Sequence, residues 1–120
     1  MKRRSWMTAI ALLPVVAAVA CRSSHVAITV ENRTGAEVRL LEVDYPNASF
    51  GVDSLASGAV YNYRIQIIGE GPVKVQYTDP ANHQQQIAGT RLAEGDQGQL
   101  DIVLLPQGKA EFHPQIAQAR

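Results

Sequence analysis

Cys21 is the one cysteine among 120 residues, and it stands where an apolar run ends, with Ala18-Val19-Ala20 before it and Arg22-Ser23-Ser24 after it. A thiolate is a nucleophile that can accept an alkyl or acyl group. With no second cysteine it has no disulfide partner in an oxidising compartment. The other groups able to do chemistry are scattered. His25, His83 and His113 lie far apart, and none has a neighbour at metal-ligand spacing. Asp79, four residues before His83, is placed for an isolated polar contact, but without further ligands the two read as a solvated turn. Asp53-Ser54 with His83 supplies the residue types of a serine hydrolase. The chain lacks the Gly-x-Ser-x-Gly elbow, and Asp and Ser there read as turn formers. Glu94 and Asp96 share a Gly-flanked turn with too few spaced oxygens for a calcium loop. There is no glycine-rich phosphate loop. Cys21 is therefore the one residue expected to be modified covalently. No catalytic residue, metal ligand or cofactor site is expected elsewhere, and the chain is not expected to be an enzyme.

Tyr61, Tyr63 and Tyr77 are the remaining candidates for ligand contact. Aromatic stripes on a sheet can bind sugars or peptides. These three share phase with Ile65, Ile67, Val73 and Val75, so core packing competes with that role. The alternate positions, Asn62, Arg64, Gln66, Lys74 and Gln76, are polar and suit either a solvated face or a partner contact.

The surroundings of Cys21 have the three-part layout of an export signal. Lys2, Arg3 and Arg4 form a basic head, and residues 5–20 carry no charge and are mostly apolar. The run is shorter than the ~20 residues that span a bilayer, and Pro14 interrupts it, so removal is expected rather than retention as an anchor. Ala18 and Ala20 are small enough for ordinary signal peptidase, which would release an unmodified chain. Arg3-Arg4-Ser5-Trp6-Met7 leaves both the general secretory and the twin-arginine routes open.

Ala18-Val19-Ala20-Cys21 resembles the lipobox of bacterial lipoproteins, with Ala18 where Leu is usual. The resemblance implies diacylglyceryl transfer to the Cys21 thiol and cleavage between Ala20 and Cys21. It also implies a cell-envelope location, anchored in a membrane by the lipid. In a Gram-negative host Arg22, in place of the inner-membrane Asp signal, implies the outer membrane, facing the periplasm.

Removing residues 1–20 leaves about 100 residues, one domain in size. The leader holds three of the eleven basic residues, so eight remain against eleven acidic ones, a net charge of about −3. No basic cluster remains, which argues against a nucleic-acid partner.

The elements that must hold these side chains read as strands. Val26, Ile28 and Val30 alternate, and Asn32-Arg33-Thr34-Gly35 turns the chain. From Ala36 to Tyr45 the apolar set slips by one residue, from Val38 and Leu40 to Leu41, Val43 and Tyr45, which predicts a β-bulge or bend. Residues 46–58 read as an irregular crossing between sheets. Val60–Ile68 and Val73–Tyr77 read as a hairpin about Gly69-Glu70-Gly71-Pro72. Asp79-Pro80-Ala81-Asn82 is a turn, residues 84–88 and 90–93 are short strands, and Gln99–Leu105 is the last strand. The expectation is all-β: one small antiparallel β-sandwich, immunoglobulin-like, of about seven strands over residues 26–105. A lipidated tether at 21–25 precedes it and a loose tail at 106–120 follows.

Val30-Glu31-Asn32-Arg33-Thr34-Gly35, Ser54-Leu55-Ala56-Ser57-Gly58 and Val75-Gln76-Tyr77-Thr78-Asp79 resemble a pattern of small exported bacterial β-sandwich proteins. The resemblance covers roughly residues 26–80 and implies the fold alone. Taken with Cys21, the expected role is a non-enzymatic binding or structural module with an envelope protein as partner. The alternative is a secreted or periplasmic binder of a small ligand or glycan that uses surface tyrosines.

Overall fold

The computed structural model describes residues 24–118. The expected leader, its cleavage site at Ala20 and the lipidation site at Cys21 lie outside that range. The chain forms eight strands: β1 Val26–Asn32, β2 Val38–Tyr45, β3 Ala48–Leu55, β4 Val60–Ile65, β5 Glu70–Thr78, β6 Gln84–Ala93, β7 Asp96–Leu105 and β8 Lys109–Gln118. They make two four-stranded sheets, ordered β4-β1-β7-β8 and β3-β2-β5-β6. The expected two-sheet β-sandwich is thus present, with eight strands rather than about seven. Every pairing is antiparallel except β1 with β7.

The core comes from strict alternation on the inner strands. Val26, Ile28 and Val30 of β1 face Val38, Leu41 and Val43 of β2 across the sandwich, with Val73, Val75, Leu100, Ile102 and Leu104 completing it. All are buried. At about 25 cal/mol per Å² of apolar surface, each such side chain contributes roughly 1.5–3 kcal/mol. The predicted bulge lies in β2. Between Arg39 and Glu42 the pairing with β5 gains a residue, and Leu40 takes φ 51°. Leu40 is thereby ejected, 62% exposed, while Val38 and Leu41 both point inward.

Four expectations are corrected. Residues 46–58 are mostly strand: Pro46-Asn47 turns β2 directly into β3, which pairs with it from Tyr45↔Ala48 to Val38↔Leu55. The tail is also strand. After one 3-10 turn at Pro106–Gly108, β8 pairs with β7 along its whole length. Pro114 is tolerated because β8 is an edge strand, where a missing N–H breaks no ladder on the outer side. Residues 84–93 form one strand with an extra residue near Gly89, not two strands. Finally, β4 and β5 are not a hairpin. Residues 66–69 carry the chain from one sheet to the other, and Ile67 is buried on the way. Asn62 and Arg64 are therefore on one sheet, Lys74 and Gln76 on the other, and they do not form a common polar face.

The lateral seams close in two ways. At the β3/β4 seam Phe50 stacks on Tyr63, with ring centroids 4.6 Å apart, and Tyr45 and Tyr61 lie at 6.1 Å. At the β6/β8 seam the Phe112 ring fills the space where Gly89 would carry a Cβ.

Candidate functional site

Strand directions give the sandwich two distinct ends. Residue 24, the β2–β3 turn, the 66–69 crossing and the β6–β7 turn share one, here the near end. The β1–β2 loop, residues 56–59, the β5–β6 turn and the Pro106–Gly108 turn share the other, the far end.

The far end is organised by Asn32. It is fully buried. Its Nδ2 donates to the carbonyls of Ala36 (2.8 Å) and Leu55 (2.9 Å). Its Oδ1 accepts from the Thr34 N–H (3.0 Å), with the Thr34 hydroxyl 2.7 Å away. Its backbone N–H donates to Ala59 and its carbonyl accepts from Gly58. An amide has two donors and one carbonyl acceptor, and all are used, so the side chain ties the β1–β2 loop to the end of β3. Asn32-Arg33-Thr34-Gly35 read correctly as a turn, but its role as a buried hub depends on β3, which the sequence reading missed.

Beside this hub lies a cleft of about 290 Å³. Ala36 and Val38 form one wall, Leu105 and Pro106 another, and Tyr77 and Gln85 the floor, with Asp79, Pro80 and Ala81 at the β5–β6 turn. Asp79 staples that turn. Its Oδ1 accepts from the His83 N–H (2.8 Å) and its Oδ2 from Gln85 Nε2 (3.2 Å). The backbone adds Asp79 N–H to His83 O (2.9 Å) and Asn82 N–H to Asp79 O (2.9 Å). Donation from the His83 backbone, and then from Gln85, holds the Asp79 carboxyl below the usual range. The imidazole of His83 reaches only 3.9 Å from Oδ2 and is largely exposed. The turn read as solvated does hold an Asp79–His83 contact, made chiefly by the backbone, while the imidazole stays in solvent. Gln107 at the rim has φ 68° and Asn82 has φ 68°, the left-handed region that costs most non-glycine residues ~1–2 kcal/mol.

The three tyrosines do not come together. Tyr77 is 2% exposed in the cleft floor, and burial, then Asp79, pushes its phenol up. Tyr61 is half-buried at the β3/β4 seam, and Tyr63 is 45% exposed there. Ser54 on β3 pairs with Arg39 on β2, which pairs with Thr78 on β5. At ~4.8 Å per strand, Ser54 is about 10 Å from the strand that leads to His83. Asp53 and Ser54 are strand residues, not turn residues as expected. Asp96 is buried and accepts from the Ala93 N–H (2.9 Å), while Glu94 accepts from the Gly69 N–H (3.3 Å). Both organise the near end. His113 sits 3.1 Å from Glu111 on the outer face of β8, remote from His83. Among the described residues no group of three His, Cys, Asp or Glu could hold a metal ion. No helix among them is long and apolar enough to cross a membrane.

The chain matches no family model and no curated protein sequence. It is similar in structure to a protein from Eubacterium rectale solved by NMR, at 16% identity and a TM-score of 0.56. The likeness covers 77% of this chain and 90% of that one, and at that identity it supports the sandwich fold alone.

Proposed function

We propose that this protein is a lipid-anchored binding module of a bacterial cell envelope, tethered through Cys21 and presenting its far-end cleft to a protein partner. The observation that carries the reading is the placement of the two ends. The chain enters the sandwich at the near end, and the cleft opens at the other, one strand length away. Seven residues at ~3.3 Å each put roughly 23 Å between them. A lipid on Cys21 would hold the near end at the bilayer and leave the cleft facing away from it. Arg22 favours the outer membrane of a Gram-negative host, on its periplasmic side. Binding is the proposed role, and the separation of Ser54 from the strand that leads to His83 supports it over a Ser–His hydrolase.

Intact mass of the membrane-fraction protein tests the anchor. An N-terminal Cys21 carrying diacylglyceryl mass, absent from Cys21→Ala, is the expected result. An unmodified chain in the soluble fraction removes the tether. Photo-cross-linkers at Gln107 and at Ser49 test the surface: one recurrent partner is expected from Gln107 and not from Ser49.

A second reading, a glycan or small-ligand binder using surface tyrosines, is favoured by one observation, the exposed Tyr63 ring stacked on Phe50. Tyr63→Ala that leaves every detected ligand contact unchanged would remove it.

A further inference from the structure

We propose that the far-end cleft accepts the cationic head of an arginine or lysine side chain from a protein partner, with Asp79 as its counter-charge. This rests on the binding-module reading and gives that site its ligand chemistry. Charge complementarity is the first ground. Asp79 is the one lining residue that carries a formal charge, and around it apolar Leu105, Pro80 and Pro106 mix with the uncharged polar Thr34, Gln85 and Gln107. Of the neighbouring basic groups only His83 reaches it. Arg39 is exposed and donates to Asn82 Oδ1 at 3.3 Å, and Lys109 is exposed at the start of β8. His83 is 3.9 Å from Oδ2 and points largely into solvent.

Geometry is the second ground. The carboxylate is 24% exposed and fixed by the His83 N–H and the Gln85 amide. The Ala81 N–H is a third donor, and a carboxylate offers about four acceptor directions, so one remains for a ligand. Its orientation is set before any ligand arrives, which lowers the ordering cost of binding. Charge-assisted donation to such an oxygen is about twice as strong as a neutral hydrogen bond. Size is the third ground. About 290 Å³ falls at the lower edge of the ~300–1,000 Å³ of ligand pockets. That volume suits one side chain with an aliphatic stem rather than an oligosaccharide or an acyl chain.

The test is an NMR titration of the full chain in detergent with capped Ala-Arg-Ala, beside capped Ala-citrulline-Ala, which keeps the shape and loses the charge. The expected result is saturable shifts at Thr34, Gln85 and Gly108, with citrulline at least about tenfold weaker. Asp79→Asn keeps an acceptor for the His83 N–H and should weaken the arginine peptide by the same factor. Pro106→Trp, which crowds the cleft from the β7–β8 turn and alters none of the donors that hold Asp79, should abolish binding. Equal affinity for citrulline, unchanged affinity in Asp79→Asn, or no shifts at the cleft would overturn the proposal. A partner that still cross-links from Gln107 in Asp79→Asn would retain the binding module and discard the cation. Tripeptide binding with no envelope partner recovered would do the reverse.

Discussion

At the far end of the sandwich one buried side chain, that of Asn32, bonds the β1–β2 loop and the end of β3. At the near end the comparable junction closes because a side chain is missing. Gly98 takes φ 135°, and a Cβ there would collide with the Gln115 carbonyl of β8. Its N–H donates to His25 O (3.1 Å), which fixes the entry of the chain beside β7. The junction of β1, β7 and β8 at the near end is thus set by backbone meeting backbone, while Asp96 and Glu94 bond the adjoining turn and crossing. The far end is set by a polar side chain that several loops share, and the cleft lies beside that shared centre. Loops that carry a surface for recognition need such a fixed point, since their own backbone groups form few ladders.

The largest test of this contrast is Asn32→Ala. It leaves the Leu55 carbonyl and the Thr34 N–H without their partner, while the Ala36 carbonyl keeps the Thr34 hydroxyl. At ~1–3 kcal/mol per unsatisfied group the loss should be about 4 kcal/mol. That is a large share of the ~5–15 kcal/mol of a small domain, and denaturant unfolding would measure it. Next comes Gly98→Ala, expected to cost about 3 kcal/mol through a strained φ and a displaced β8. Hydrogen exchange should then rise along β7–β8 and stay unchanged at Thr34 and Gly58. If both variants loosen the same amides, the two ends are one cooperative unit and the contrast fails.

Asp96→Asn should cost less, about 1 kcal/mol, because Asn still offers an oxygen to the Ala93 N–H. A loss as large as that of Asn32→Ala would mean that the near end also hangs on a side chain. The smallest effect is in pH. The Asp79 carboxyl is held below its ordinary range in the folded state, so its contribution is present above the unfolded pKa and fades as pH falls through the folded one. Acid titration by NMR should move the His83 amide in that range. Gln85→Leu, which removes one donor, should shift the midpoint upward and leave near-end amides unmoved.

The sequence made some of this visible and hid the rest for physical reasons. Strands buried on one face announce themselves, as Val26-Ile28-Val30 and the slipped phase at Leu40-Leu41 do. The edge strands β3 and β8 do not. Over β3, Ala-Ser-Phe-Gly-Val-Asp-Ser-Leu, only Phe50 and Leu55 are buried, and Gly, Ser and Asp between them read as loop. β8 likewise has Pro114, with Phe112 and Ile116 only half-buried. Tyr77, Asp79 and the turn at Asn32 were each visible as local features. Their assembly with Leu105 and Pro106 into one cleft follows from the sheet order, which brings together residues as distant in sequence as Thr34 and Gly108.

The parallel pairing of β1 with β7 has a mechanical consequence. β1 lies inside its sheet, bonded to β4 on one side over Val26–Glu31 and to β7 on the other over Val26–Asn32. A load on the incoming chain, resisted at the opposite pole of the molecule, runs along β1. Its hydrogen bonds lie across that direction, so they bear the load together in shear and do not peel away one at a time. An edge strand in the same place would unzip from its first residue. A single-molecule pull between residue 24 and the Pro106–Gly108 turn should therefore meet a higher rupture force than a pull that peels β8 from Gln118.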